Sequence, residues 1–103
     1  CASIASMMWN WRMLLVTGES RFADLFERTL YNGFLSGLSV DGESFFYANP
    51  LQSRTGEHRH RWNRVACCPP NIMRLLASLH HYLATVTDEG IQLHQYASSR
   101  IRA

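Results

Sequence analysis

Two stretches of apolar residues at helical spacing, separated by only a few residues, constrain this chain more than any other feature. Ile4, Met7, Met8, Trp11, Met13, Leu14 and Leu15 recur between Ala2 and Val16, while Ser3, Ser6, Asn10 and Arg12 occupy much of the other face. Thr17-Gly18 supplies a stop, because glycine readily takes the left-handed conformation that ends many helices. Ser20 can then cap a second helix from Arg21 to about Asn32, with Phe22, Leu25, Phe26, Thr29 and Leu30 on its buried side and Asp24 in its first turn. Gly33 loosens the end of that helix. Two helices joined this closely form an αα-hairpin, the unit from which helical barrels and bundles are assembled.

Beyond Gly33 the helical period gives way to short extended runs: Leu38-Ser39-Val40, the turn pair Asp41-Gly42, and Ser44-Phe45-Phe46-Tyr47-Ala48. Asp-Gly between such runs predicts a β-hairpin. Asn49-Pro50 ends the second strand, and Gln52 to Arg64 reads as a polar loop rich in Arg and His. A third helix is expected to begin at Pro69-Pro70, since proline suits a first turn, and to run through Ile72, Met73, Leu75, Leu76, Leu79 and Leu83 until Asp88-Glu89-Gly90 breaks it. Ile91-Gln92-Leu93-His94-Gln95-Tyr96 alternates as a half-buried strand does. The fold expected is mainly α, with a β-hairpin insertion and a C-terminal strand.

The composition, 47% hydrophobic and 17% charged with a net charge of +2, excludes a disordered chain. All ten basic residues are Arg, and Arg54, Arg59, Arg61 and Arg64 cluster with His58, His60 and Trp62. The small net charge and the lack of an accompanying binding motif argue against a nucleic-acid partner. A membrane partner is likewise not expected, because no apolar run approaches the ~20 residues of a span. The chain opens at Cys1 already inside an apolar helical pattern and closes on Ser98-Ser99-Arg100-Ile101-Arg102-Ala103, so both ends read as internal to a longer polypeptide.

Cys67-Cys68-Pro69-Pro70-Asn71 carries the most chemistry. Thiols directly before a helix lie where free N–H groups and the helix dipole favour the nucleophilic, metal-binding thiolate. Cys1 is the one other cysteine. Three thiols leave a tetrahedral zinc one ligand short, and adjacent cysteines do not have zinc-ribbon spacing. The same residues can equally be small buried apolar side chains, or Cys67 and Cys68 can form a strained vicinal disulfide.

Several short motifs in a fixed order bear on this choice. They are Cys1-Ala2-Ser3-Ile4-Ala5 opening a Trp-bearing helix, Leu30-Tyr31-Asn32-Gly33, Phe45-Phe46-Tyr47-Ala48-Asn49-Pro50-Leu51, and Ala66-Cys67-Cys68-Pro69-Pro70-Asn71-Ile72 with Arg74-Leu75-Leu76-Ala77-Ser78-Leu79. In this order and over most of its length the chain resembles glycoside hydrolase family 127, the β-L-arabinofuranosidases. The resemblance implies an (α/α) barrel catalytic domain, here residues 1–90, followed by a β-sandwich domain beginning in residues 91–103. It implies zinc as cofactor, held by Cys1, Cys67 and Cys68 and by a glutamate two positions before the residue matching Cys1. It makes Cys67 the nucleophile, forming a thioglycosyl intermediate with retained configuration, in departure from the usual pair of carboxylates. Tyr47 matches a sugar-lining tyrosine, and the partners implied are an L-arabinofuranoside-like carbohydrate and the remainder of the parent chain. The general-acid/base glutamate would lie upstream, so the fragment alone is expected to be inactive.

The other candidates have plainer readings. Glu19, Glu43 and Glu57 are solvated carboxylates and do not replace the missing glutamates. His58, His60 and their neighbouring arginines suit a solvated loop, and His80-His81 point apart on a helix and form no metal site. Trp9, Trp11 and the methionines are core, and Asn49 either holds a strand end or reaches toward a sugar. The alternative from another class is a non-catalytic helical domain whose cysteines pack or hold a structural zinc, acting in partner binding.

Overall fold

A computed structural model describes residues 1–102; Ala103, the last residue of the segment read as the start of a second domain, lies outside the described residues. Helix α1 spans Ala2–Thr17 and ends where the sequence puts its stop, at a left-handed Gly18 whose N–H donates to the Leu14 carbonyl at 2.8 Å. Helix α2 spans Ser20–Thr29, one residue earlier than expected: Glu19 is the cap residue, Ser20 makes no capping bond, and Asp24 falls beyond the first turn. The chain continues helically but with changed pitch, as a π turn over Leu30–Phe34 and a 3-10 turn over Leu35–Gly37. Gly33 therefore sits inside the π turn instead of loosening a helix end, and a Cβ there would stand 3.1 Å from the Ser3 hydroxyl of α1. That hydroxyl donates to the Gly33 carbonyl at 3.2 Å, fixing the start of α1 against the π turn.

The first hairpin is weaker than the sequence suggests. Leu38 and Phe45 pair by a single bridge around the Asp41-Gly42 turn, and Phe45 also bridges His60, exchanging both backbone hydrogen bonds at 2.9 and 3.0 Å. The segment expected to be a solvated loop is thus pinned to the hairpin. Arg59 adds to the pin: its guanidinium lies 4.4 Å from the centre of the Phe46 ring and donates to the Gly37 and Ser36 carbonyls at 3.2 and 2.9 Å.

Helix α3 spans Cys68–Ser78, starting at Cys68 itself with Pro69 and Pro70 as its second and third residues. It then tightens into a 3-10 turn over Leu79–Tyr82 and stops. The residues expected to extend it form strand β1, Ala84–Thr87, which pairs antiparallel with β2, Gly90–Leu93, through Ala84 opposite Leu93 and Val86 opposite Ile91. Both β2 and its apolar residues are exposed, contrary to the half-buried strand expected, because no element of the described chain covers that face. The reading of His80-His81 as pointing apart is corrected too: within the 3-10 turn the two rings lean against one another, with centroids 3.9 Å apart.

Ile4 and Met7 of α1, Phe26, Leu30 and Phe34 of the second helical stretch, and Leu75 of α3 make the core, and Tyr82 wedges its ring between Trp11 and Phe26. Asn10 is buried on this same face, contrary to its assignment to the polar side. Its amide escapes the penalty of burial by donating to the Ser6 carbonyl one turn back, at 2.7 Å. Trp9 leaves the core because it lies two residues past Met7, on the far side of a helix that turns about 100° per residue. Met73, two residues before Leu75, is exposed for the same reason, and Leu76, one residue after it, lies at the margin of the buried face.

His94 packs edge-on to Trp11 and shares a 2.8 Å hydrogen bond with the Thr85 hydroxyl, and burial pushes its imidazole below the usual 6.5. The unfolded chain therefore binds a proton that the folded chain resists. His94 should contribute stability that is present above pH 6.5 and lost as pH falls from there through its lowered folded value. Urea melts at pH 7.5 and 5.5 should show a lower midpoint at the acid end, and His94→Gln should reduce that difference.

Candidate metal centre

The three cysteines converge from sequence positions far apart. Cys1 is the cap residue of α1, Cys67 the cap residue of α3 and Cys68 its first helical residue, so the cluster lies between two helix N-termini. The caps are formed by backbone: the Cys1 and Cys67 carbonyls accept from the N–H groups of Ala5 and Asn71 at 2.9 and 3.4 Å. Packing of Leu75 against Ile4 and Met7 holds the two starts side by side. The α1 start offers free N–H groups beside the sulfurs, whereas in the first turn of α3 Pro69 and Pro70 have none to offer.

The Cys68 sulfur lies 3.6 Å from that of Cys1 and 3.6 Å from that of Cys67, and all three lie within 4.8 Å of one another. The cysteines are free, which removes the vicinal disulfide as a reading of this structure. The spacing fits a tetrahedral zinc, whose 2.3 Å bonds set sulfurs roughly 3.8 Å apart. A cluster of this kind can hold a metal ion. Without metal, burial pushes the Cys68 thiol up, and the adjacent Cys67 sulfur raises it further. For Cys68, then, the depression anticipated from the helix start is outweighed by desolvation and a neighbouring thiol, and a bound cation is what would ionise it.

Beside the cluster opens a cleft of about 240 Å³, lined among others by Cys1, Cys68, Ser3, Tyr47 and Asn49. Tyr47 is half exposed on its wall. Asn49 donates to the Gly33 carbonyl at 3.2 Å, and a Cβ on Gly37 would meet its side-chain oxygen at 3.0 Å, so it ties the end of the hairpin to the π turn. Cys67 is exposed at the edge of the cluster, whereas Cys68 is buried.

The side-chain carboxylates of the described residues stand apart from this site. Glu19 pairs with Arg21 at 2.8 Å, Glu43 pairs with Arg61, and among the described residues the metal-competent group comprises the three cysteines alone. His58 and His60 do not join it. Sequence reasoning passed over Asn71, whose amide nitrogen lies 3.3 Å from the Cys1 sulfur. Its position one helical turn past the cysteine pair was the available signal.

A helical framework presenting three thiols at two helix starts, beside a small cleft, defines a site that could hold a metal ion. The catalytic-domain family model of β-L-arabinofuranosidase GH127 matches residues 1–81, and the chain belongs to that family. The non-reducing end β-L-arabinofuranosidase of Bifidobacterium longum subsp. longum is 35% identical across 96% of this chain and 17% of its own length. A solved GH127 β-arabinofuranosidase is similar with a TM-score of 0.88 and 43% identity, over 93% of this chain and 15% of that one. A GH127 β-L-arabinofuranosidase from Geobacillus stearothermophilus T6 gives 0.83 and 42%, over 93% and 17%. The chain thus spans about a sixth of the length of these relatives.

Proposed function

We propose that this chain is the thiolate-bearing part of a retaining glycoside hydrolase acting on terminal β-L-arabinofuranosyl groups, with zinc as its cofactor. The observation that carries the reading is the meeting of Cys1, Cys67 and Cys68 at zinc-ligand spacing within a family of arabinofuranosidases. Residues 1–90 belong to a larger helical barrel, and residues 91–103 begin the domain that follows. Exposed Trp9, Leu15 and Val16 on α1 support this, since large apolar side chains left outside the core suit a further packing partner. So does the radius of gyration, 15.5 Å where a compact chain of this length has about 13 Å.

Cys1 and Cys68 are structural ligands, and Cys67, which is exposed as Cys1 is, is the nucleophile by its match to the first cysteine of the family's pair. Zinc supplies one thing here, keeping thiols ionised at neutral pH. The Cys67 sulfur attacks the anomeric carbon as the bond to the leaving oxygen breaks, and an acid outside this chain protonates that oxygen. Water then displaces the sulfur from the same carbon, and two inversions give retention. Tyr47 and the cleft wall hold the sugar.

The test is hydrolysis of an aryl β-L-arabinofuranoside by the longer polypeptide that contains this segment, with zinc content measured in parallel. Turnover with one zinc per chain is the expected result. A metal-free enzyme of full activity would sink the zinc reading, and zinc bound without hydrolysis of any arabinofuranoside would favour the structural-metal alternative.

A further inference from the structure

We propose that Asn71 is a positioning residue for the Cys1 sulfur and that Arg74 holds it in its working orientation. This rests on the reading that the three thiols bind a divalent metal. Asn71 places its amide nitrogen 3.3 Å from the Cys1 sulfur, and Arg74 donates to the Asn71 side-chain oxygen at 2.5 Å. The two residues are three apart on α3 and so share one face. A guanidinium has donors only, so the carboxamide must turn its oxygen toward Arg74, and that turn aims the amide N–H at the sulfur.

The cysteines differ in how much they need such help. Cys67 and Cys68 are neighbours at one helix start, and the backbone of that start sets their spacing. Cys1 comes from a different helix and is exposed. Asn71 is the residue of α3 that reaches across to its sulfur with a directional contact other than the Cys68 thiol itself. Three thiolates around a divalent cation also carry a net negative charge, which an N–H donor and a nearby guanidinium offset. Outer partners that orient a metal ligand commonly change affinity 10–100-fold when removed.

In the longer polypeptide, stripped of metal, zinc affinity is measured by competition with a chelator, and cobalt(II) is used for its thiolate charge-transfer band. Asn71→Leu, close in shape but without a donor, should weaken zinc by roughly 10–100-fold. The cobalt band should move to longer wavelength, because the sulfur lone pairs lose the N–H that stabilises them. Arg74→Met should shift both quantities in the same direction by less. The double variant should bind zinc no more weakly than Asn71→Leu, because Arg74 acts through Asn71. Arg74→Met carries the test if Asn71→Leu does not fold.

Unchanged zinc affinity and an unmoved cobalt band in a folded Asn71 variant would overturn the proposal, even if its metal-free stability fell. Additive losses in the double variant would overturn the role of Arg74. A parent protein that binds neither metal overturns the metal reading itself, which is a different result from a parent that binds and variants that bind equally well.

Discussion

Replacing Cys67 by serine in the longer polypeptide should lower hydrolysis of an aryl β-L-arabinofuranoside by at least ~10³-fold, the scale on which loss of a covalent nucleophile is usually felt. The reason is the state of the attacking atom. A serine hydroxyl is a poor nucleophile at its ordinary pKa, and among the described residues no histidine or carboxylate joins the cysteine cluster to activate it. For the Cys67 thiol, on the zinc reading proposed above, the metal would supply that activation instead. Because Cys67 is also a candidate ligand, zinc content must be measured on the same sample, and activity compared at full occupancy. Mass spectrometry of the parent enzyme stopped during turnover should find the sugar on the peptide carrying Cys67. An adduct on another residue, or a Cys67→Ser enzyme with near-normal turnover at full zinc, would remove Cys67 as nucleophile and leave the metal site standing.

Much of the helical framework was legible in the sequence because its signals are local. The spacing of Ile4, Met7 and Leu14 and the Thr17-Gly18 stop define α1, and Gly18 caps it in the conformation glycine favours. What escaped depended on tertiary contacts. Asn10 reads as a surface residue until Ser6 is seen to satisfy its amide. Ala84–Thr87 follows Leu79 and Leu83 at a spacing that continues a helix, and it becomes a strand by pairing with Gly90–Leu93. Arg59 reads as a loop charge because its stacking on Phe46 and its bonds to Ser36 and Gly37 span more than ten residues. The meeting of Cys1 with Cys67 and Cys68 is of the same kind. Nothing in the spacing of residues 67 apart foretells it, and the ordered motifs of a resembling family pointed to it. Asn71 lay within those motifs, yet its aim at the Cys1 sulfur appears only once α1 and α3 are set side by side.

Zinc should stabilise the parent chain, and Cys68→Ala should lose nearly all of that gain. A ligand that binds only the folded state stabilises it by about 2.7 kcal/mol at a hundredfold excess over Kd. For domains of 150–250 residues each kcal/mol moves Tm by roughly 2–4 °C, and the relatives of the parent chain are longer than this segment several times over, so the expected rise is on the order of 5–10 °C. Cys68 is central to it, because its sulfur is the one 3.6 Å from each of the others. Removing it leaves two thiols from different helices, too few to enclose a tetrahedral ion. The variant also separates the two roles open to a buried cysteine. If Cys68 serves packing alone, Cys68→Ala lowers Tm equally with and without zinc, through the small cavity it leaves. If it is a ligand, the metal-free melting points stay close while the zinc-dependent rise collapses. Thermal melts of both proteins, with zinc and with a chelator under reducing conditions, give the four values needed. A zinc-dependent rise that survives intact in Cys68→Ala would exclude Cys68 from the metal centre.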